Sequence, residues 1–261
     1  MSRREEIRNK MEQMKICVIV PTYNNDGTIV DVVKSCAEWC RHIIVVNDGC
    51  TDKTHALLAD LAAAGSLPSQ LELCEYEQNM GKGYALKTGF AKARQLGFDY
   101  AITLDADGQH FPTDIPVFLD ALEKNPQSLV VGSRNLQSKN MPGKNTFANK
   151  FSNFWFTVQT FQRLPDTQTG FRLYPLRRMG SLRWITSRYE AELEMLVFAA
   201  WHGVKLLPVK IDVYYPPQGE RVTHFRPGYD FFRISVLNTI LCFLAVVYGY
   251  PSMLWHKMRG K

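Results

Sequence analysis

Six cysteines are present, but no two of them have the CxxC spacing of a redox or zinc motif. Cys36 and Cys40 stand four apart with His42 close by. A fourth ligand for zinc is not evident, so packing on one helix face is the expected use. The remaining cysteines sit mostly in apolar runs, where the residue behaves as a small hydrophobe, and a reduced cytosolic compartment is expected. Met1 to Met14 lacks the apolar core of a signal peptide. Ile7, Met11 and Met14 share a helical face there, which suits a short docking helix. No strip of Lys and Arg interleaved with exposed aromatics is found, which argues against a nucleic-acid partner. Asp, Glu, Lys and Arg are all missing from residues 234–255, a run of 22.

What is present belongs to a globular enzyme-sized chain. Its 261 residues are 46% hydrophobic, enough for one large core. The net charge of +6 is concentrated late: six basic against two acidic residues leave +4 between Pro216 and Lys261. A positive tail points to an anionic membrane surface or a phosphate ligand. Runs of β-formers recur at 15–20, 42–46, 71–76 and 100–103, separated by stretches of helical periodicity. Such alternation predicts βαβ units and a parallel sheet. Each of these four strands runs into a polar loop: Pro21-Thr22-Tyr23, Asn47-Asp48-Gly49, Asn79 to Gly83, and Asp105 to Gln109. Ligands of open parallel sheets bind beyond the carboxyl ends of the strands, so the four loops converge on one site.

The fourth loop organises the rest. A short apolar strand delivers Asp105 and Asp107 with one small residue between them. If extended geometry continues through Asp107, the two carboxylates share a side of the chain. Like charges so close repel, and a hard divalent cation is the usual remedy. Gln109, at the next same-side position, can add a neutral oxygen. Phosphate oxygens of a nucleotide would fill the open positions. A solvated acidic turn is the bland alternative.

As a set, Val18-Ile19-Val20-Pro21-Thr22-Tyr23-Asn24, Asn47-Asp48-Gly49-Cys50-Thr51-Asp52, Asn79-Met80-Gly81-Lys82-Gly83, Asp105-Ala106-Asp107-Gly108-Gln109-His110, Gly132-Ser133-Arg134 and Asp166-Thr167-Gln168-Thr169-Gly170-Phe171 resemble the family 2 glycosyltransferases. The resemblance is to the dolichyl- or polyprenyl-phosphate mannose synthase-like branch. It implies an α/β GT-A fold: a single Rossmann-like, mostly parallel sheet flanked by helices, followed by a C-terminal membrane-associating helical segment. The implied layout is an N-terminal helix at 1–14, a nucleotide-sugar half at 15–135, an acceptor half at 136–215, and a flexible loop with the helical tail at 216–261. Pro21, Tyr23, Asp48, Asn79 and Lys82 would border the nucleotide of a GDP- or UDP-sugar, with Asp48 accepting from a base N–H. Asp105, Asp107 and Gln109 would carry Mg²⁺ or Mn²⁺ on the diphosphate. Arg134 would meet a lipid phosphate, most simply a polyprenyl phosphate. The chain departs from the pattern at Asn47, and at Lys144, Asn145 and Asn149, where an arginine and a serine are usual.

The transfer so implied inverts the anomeric centre. A phosphate acceptor is already a nucleophile at pH 7, whereas a hydroxyl acceptor needs a general base. For a glycolipid or polysaccharide hydroxyl the base candidate is Asp166, with Glu192 and Glu194 behind it; the bland readings are a turn cap and a helix-surface ion pair. Arg172 would serve the pyrophosphate or acceptor, or be a surface charge. Arg221 and Arg226 are candidates for a closing loop. A sugar nucleotidyltransferase would want a basic glycine-rich loop after the first strand, which Pro21 to Asp26 is not. A non-catalytic binding module would not need the Asp105, Asp107 and Gln109 set. The tail is expected to lie in the cytoplasmic face of the membrane as a peripheral or monotopic segment, a spanning or soluble helix being the alternatives. The sequence is compatible with a monomer and with a homo-oligomer.

Overall fold

The computed structural model describes residues 2–134, 143–180, 184–215 and 227–259. Helix α1 (Arg3–Gln13) leads into β1 (Ile16–Thr22), α2 (Ile29–Ala37), β2 (His42–Asp48), α3 (Thr54–Ala63), β3 (Gln70–Tyr76), α4 (Lys82–Gln95) and β4 (Tyr100–Thr103). Then come α5 (Ile115–Lys124), β5 (Leu129–Ser133), α6 (Gly143–Thr160), β6 (Arg172–Pro175), α7 (Leu176–Met179), α8 (Glu190–Trp201), β7 (Leu206–Lys210), α9 (Pro227–Leu244) and α10 (Tyr250–Met258). All seven strands form one sheet in the order β3-β2-β1-β4-β6-β5-β7. Only β6 runs antiparallel to its neighbours, β4 and β5.

The sequence pattern explains the layers. Every residue of β1 is buried, as expected of a strand covered on both faces. Its alternate side chains go to two cores: Cys17 and Ile19 join Phe90 and Trp201, while Ile16, Val18 and Val20 join Ile7, Met11 and Phe118. Each large side chain so enclosed contributes about 1.5–3 kcal/mol of transfer free energy. Cys36 is fully buried on the inner face of α2, whereas Cys40 is fully buried beyond the helix's end, in the turn into β2, so the two do not share a helix face as expected; burial pushes the Cys40 thiol up to about 11.

The chain leaves β1 toward β2 and β3, then returns to place β4 on the other side of β1. The connections after β1 and β4 therefore part company at the carboxyl edge, where a doubly wound sheet opens a crevice. The Thr28 hydroxyl, at the start of α2, donates to the Ala106 carbonyl at 2.6 Å and ties the two lips together. Beyond β7, Val213 bridges back to His110, and the Tyr214 N–H donates to the Gln109 carbonyl. The regions holding Arg221, Arg226 and residues 135–142, and the side chains of Lys144 and Asn145, lie outside the described residues.

Candidate active site

The polar loops fasten one another before they offer anything to a ligand. Asn24 Oδ1 accepts from the Thr51 N–H at 2.8 Å, and Asp52 accepts from the N–H groups of Thr54 and Asp26. Asp48, at the end of β2, is 3% exposed. Its carboxylate accepts from the N–H groups of Met80 (2.8 Å) and Gly81 (2.9 Å). Gly49 makes this possible: at φ +65° it lies so close to Gln78 and Asn79 that a Cβ would sit 2.5 Å from the Gln78 carbonyl carbon. Burial pushes the Asp48 carboxyl up, against those N–H donors. In this structure the Asp48 carboxylate holds the 79–81 turn against β2. Pro21 is buried, and Tyr23 and Asn79 are half-buried at the same edge.

The aspartate loop also departs from expectation. Strand β4 stops at Thr103, and Asp105 to Gly108 form a turn, with Gly108 at φ +73°. Asp107 Oδ1 accepts from the Gln109 N–H at 3.0 Å. The carboxylates are brought together by this turn and not by an extended strand. Burial and the charge of Asp105 push the Asp107 carboxyl up to about 6. Asp105 shifts the other way: burial would raise it, but Lys82 and His110 outweigh burial. The Lys82 ammonium lies 2.7 Å from Asp105 Oδ1 and 2.8 Å from Glu192 Oε2. Those two carboxylates keep it charged despite burial. His110 is buried, which drops its imidazole to about 4 and leaves it neutral at pH 7. Its Nε2 stands 3.8 Å from Asp105 Oδ2, too far for a hydrogen bond. Gly170 backs the Asp105 carboxylate so closely that a Cβ would lie 2.4 Å from Oδ2.

A second charged centre adjoins the first. Arg134, just past β5, grips Asp166 with Nε to Oδ2 at 2.6 Å and a second guanidinium nitrogen to Oδ1 at 3.0 Å. Asn149 of α6 donates to the same carboxylate at 2.7 Å, as does the Gln168 N–H at 3.0 Å. Asp166 is fully buried; burial would raise its carboxyl, but Arg134 and Asn149 hold it below the usual range. A general base of that kind is poorly matched to its task. Arg172, read from the sequence as a ligand or a surface charge, is neither. It is fully buried and donates to the carbonyls of Thr167, Thr169 and Glu192, stitching the 166–171 loop to α8. Glu194, read as a base or a surface ion pair, is buried and caps the N–H groups of Ile185 and Thr186.

Residues 17–183 match the family described as Glycosyl transferase family 2. This chain is a family 2 glycosyltransferase. The UDP-N-acetylglucosamine–dolichyl-phosphate N-acetylglucosaminyltransferase of Methanococcus voltae is 30% identical over 249 residues, 87% of this chain and 98% of the relative. The polyprenol monophosphomannose synthase of Mycolicibacterium smegmatis is 30% identical over 60% of each chain. Among solved structures, glucosyl-3-phosphoglycerate synthase from Mycobacterium tuberculosis, in complex with Mn²⁺, UDP-glucose and phosphoglyceric acid, superposes with a TM-score of 0.66. It covers 94% of this chain and 84% of its own at 17% identity, which establishes a shared GT-A fold.

Does the glycosyltransferase carry a site for a divalent cation? Among the described residues no three or more His, Cys, Asp and Glu side chains gather as a metal cage. Asp105 and Asp107 alone are hard oxygen donors whose mutual repulsion a cation would relieve. The donor set fits an ion that takes most of its ligands from a diphosphate. Gln109 adds its backbone to this turn. Two members of the site escaped the sequence reading in their actual roles, Glu192 as the second anchor of Lys82 and Asn149 as a donor to Asp166. The signal for Glu192 was there: Glu190, Glu192 and Glu194 fall in an otherwise apolar helix, and buried carboxylates demand partners.

Proposed function

We propose that this glycosyltransferase moves a sugar, with inversion, from a nucleotide sugar to a polyprenyl-type lipid phosphate. The observation that carries the reading is the Arg134–Asp166 pair. Asp166 fixes two guanidinium nitrogens of Arg134, and this pairing and Asn149 hold its carboxyl below the usual range, the direction opposite to that of a tuned general base. A site of that kind suits an acceptor that arrives already anionic. The names of the Methanococcus and Mycolicibacterium relatives support the same acceptor class.

In the reaction so read, a phosphate oxygen forms the new bond to the anomeric carbon. The bond from that carbon to the nucleoside diphosphate breaks, and its electron pair leaves with the diphosphate. Arg134 orients the acceptor, and Lys82 adds positive charge beside the leaving group. Asp105 and Asp107 would hold Mg²⁺ or Mn²⁺, which when bound supplies charge neutralisation on the diphosphate. Tyr23, Pro21 and Asn79 border the nucleotide. Purified protein with Mn²⁺, assayed against UDP- and GDP-sugars, should glycosylate a polyprenyl phosphate and leave the matching polyprenol untouched. Equal transfer to the alcohol would defeat the phosphate reading.

We also infer that the tail lies along the membrane surface on the cytoplasmic side. Helices α9 and α10 are joined by a π-helical turn, Ala245–Gly249. Residues Phe232–Met258 are long and apolar enough to cross a bilayer, with a mean hydropathy of 1.8. One side of this rod is committed to the enzyme. Gly249 abuts Trp201, where a Cβ would stand 2.4 Å from the indole. Gln159 donates to Asn238 at 3.0 Å, Tyr250 to the Val158 carbonyl at 2.6 Å, and Arg233 pairs with Glu190. Crossing the bilayer would strip these bonds away. The other side exposes Phe232, Ile240, Phe243, Val247 and Leu254, and exposed Phe161, just past α6, stacks on Tyr250 of the tail. That is the face of an interfacial helix, with Lys257 and Arg259 at its end for anionic headgroups. Phe243→Glu with Val247→Glu should abolish co-flotation with anionic vesicles while the melting temperature stays within a few degrees. A wild-type chain that does not float would end this inference.

A further inference from the structure

We propose that Lys82 is a built-in counter-ion that keeps a metal ion off Asp105 until a nucleotide arrives, so that metal and nucleotide bind as a coupled pair. The proposal rests on the reading of Asp105 and Asp107 as the metal-holding carboxylates. Three observations lead to it. The Lys82 ammonium sits 2.7 Å from Asp105 Oδ1, so a divalent ion seeking that carboxylate meets a positive charge already in place. Asp105 is backed on one side by Gly170, where a Cβ would stand 2.4 and 2.5 Å from its two oxygens, so it cannot retreat from the ammonium in that direction. Neighbouring His110 is buried and gives Asp105 no hydrogen bond in exchange. The group that moves is therefore Lys82, and Glu192 supplies its other berth at 2.8 Å.

The carboxylates are also too few to bind a free ion well. No cage of three such side chains exists among the described residues, so the protein alone offers only part of a coordination shell. A nucleoside diphosphate changes both terms. Its oxygens complete the shell, and its negative charge draws the lysine ammonium away from Asp105 toward itself while Glu192 retains the other side. Linkage then requires that metal tighten nucleotide binding by the same factor as nucleotide tightens metal binding. Lys82 is a positioning residue in this account, and Glu192 is its pivot.

The test reads metal occupancy directly, by the electron paramagnetic resonance of free Mn²⁺ and by calorimetry, with UDP and GDP as the nucleotide probes. Wild-type protein should bind Mn²⁺ weakly alone and more tightly with at least one nucleotide, by a factor on the order of 10–100. Lys82→Met should bind Mn²⁺ more tightly than wild type without nucleotide, and the coupling factor should fall toward one. Glu192→Gln should shift the other way, with Mn²⁺ affinity below wild type, because Lys82 is left with Asp105 alone. A general loosening of the site does not move two variants in opposite directions, and circular dichroism reports whether both are folded. Should Lys82→Met be unfolded, the Glu192→Gln shift and the wild-type coupling decide the matter. Equal nucleotide-free Mn²⁺ affinity in all three proteins would overturn the counter-ion role and leave the metal site standing. Absence of Mn²⁺ binding in every protein, with either nucleotide, would overturn the metal reading and this proposal together.

Discussion

Asp107→Asn is expected to reduce sugar transfer on the order of 10²–10³-fold, the scale of removing one group that stabilises developing charge. The same change should not harm the fold. Asp107 stands at a turn, its carboxyl pushed up to about 6 by burial and by Asp105. Asparagine keeps an oxygen for the Gln109 N–H and removes the repulsion. The sign of the pH effect follows from linkage. A carboxyl whose folded value lies above its ordinary 3.8 binds more protons folded than unfolded between those limits. Its contribution to stability is therefore lost as pH rises from about 4 through about 6. His110, lowered to about 4, acts oppositely: its contribution is complete above its ordinary 6.5 and is lost as pH falls. In metal-free wild type the two slopes offset each other. In Asp107→Asn the histidine slope stands alone, so the melting temperature of the variant should gain on wild type as pH rises from 4 to 7. Undiminished turnover in the variant, or full wild-type activity in excess chelator, would sink the metal assignment. A melting difference that does not change with pH would contradict the carboxylate repulsion.

Two aspartates separated by one residue look same-sided only while the backbone is extended, and Gly108 is the sign that it is not. The alternation of strands and helices was legible because buried parallel strands are nearly continuous apolar runs, as β1 and β2 are. The convergence of the polar loops followed from it, since topology dictates which ends meet. Partnerships across the chain were not legible. Asp48 reads as a ligand in its own loop because nothing local says that Met80 and Gly81 will present their N–H groups to it. Arg172 follows a site motif and is spent on the carbonyls of Thr167, Thr169 and Glu192 and on the Tyr174 hydroxyl. The charge-free tail is equally consistent with a core helix and a bilayer span. The contacts of Gly249 with Trp201, Asn238 with Gln159 and Tyr250 with Val158 show that one side faces inward. For the same reason, cutting the tail off is a poor test of membrane binding, because it would uncover Trp201.

Arg134 and Asp166 give the sharpest separation between acceptor classes. With a polyprenyl phosphate, Arg134→Ala should cost on the order of 2–5 kcal/mol of acceptor recognition, as when one partner of a buried charge pair is removed. That corresponds to roughly 30- to 5,000-fold in turnover per unit acceptor, at about 1.4 kcal/mol per tenfold. Donor affinity, measured separately, should stay near wild type, since Arg134 is paired to Asp166 and not to the Lys82 cluster. The truncation also strands a fully buried carboxylate, which destabilises proteins by about 3–5 kcal/mol. Lost activity must therefore be distinguished from lost structure. Arg134→Leu combined with Asp166→Asn removes both charges, so its melting temperature should recover toward wild type while transfer to the phosphate stays low. Asp166→Asn alone keeps the Asn149 contact in shape and loosens the guanidinium, so its loss of activity should be smaller than that of Arg134→Ala. A hydroxyl acceptor activated by Asp166 predicts the reverse: Asp166→Asn would stop transfer to a hydroxylated glycolipid, and Arg134→Ala would be mild. The burial of Asp166 and its grip by Arg134, Asn149 and Gln168 favour the first ordering. A polyprenyl phosphate used at the wild-type rate by Arg134→Ala would rule it out.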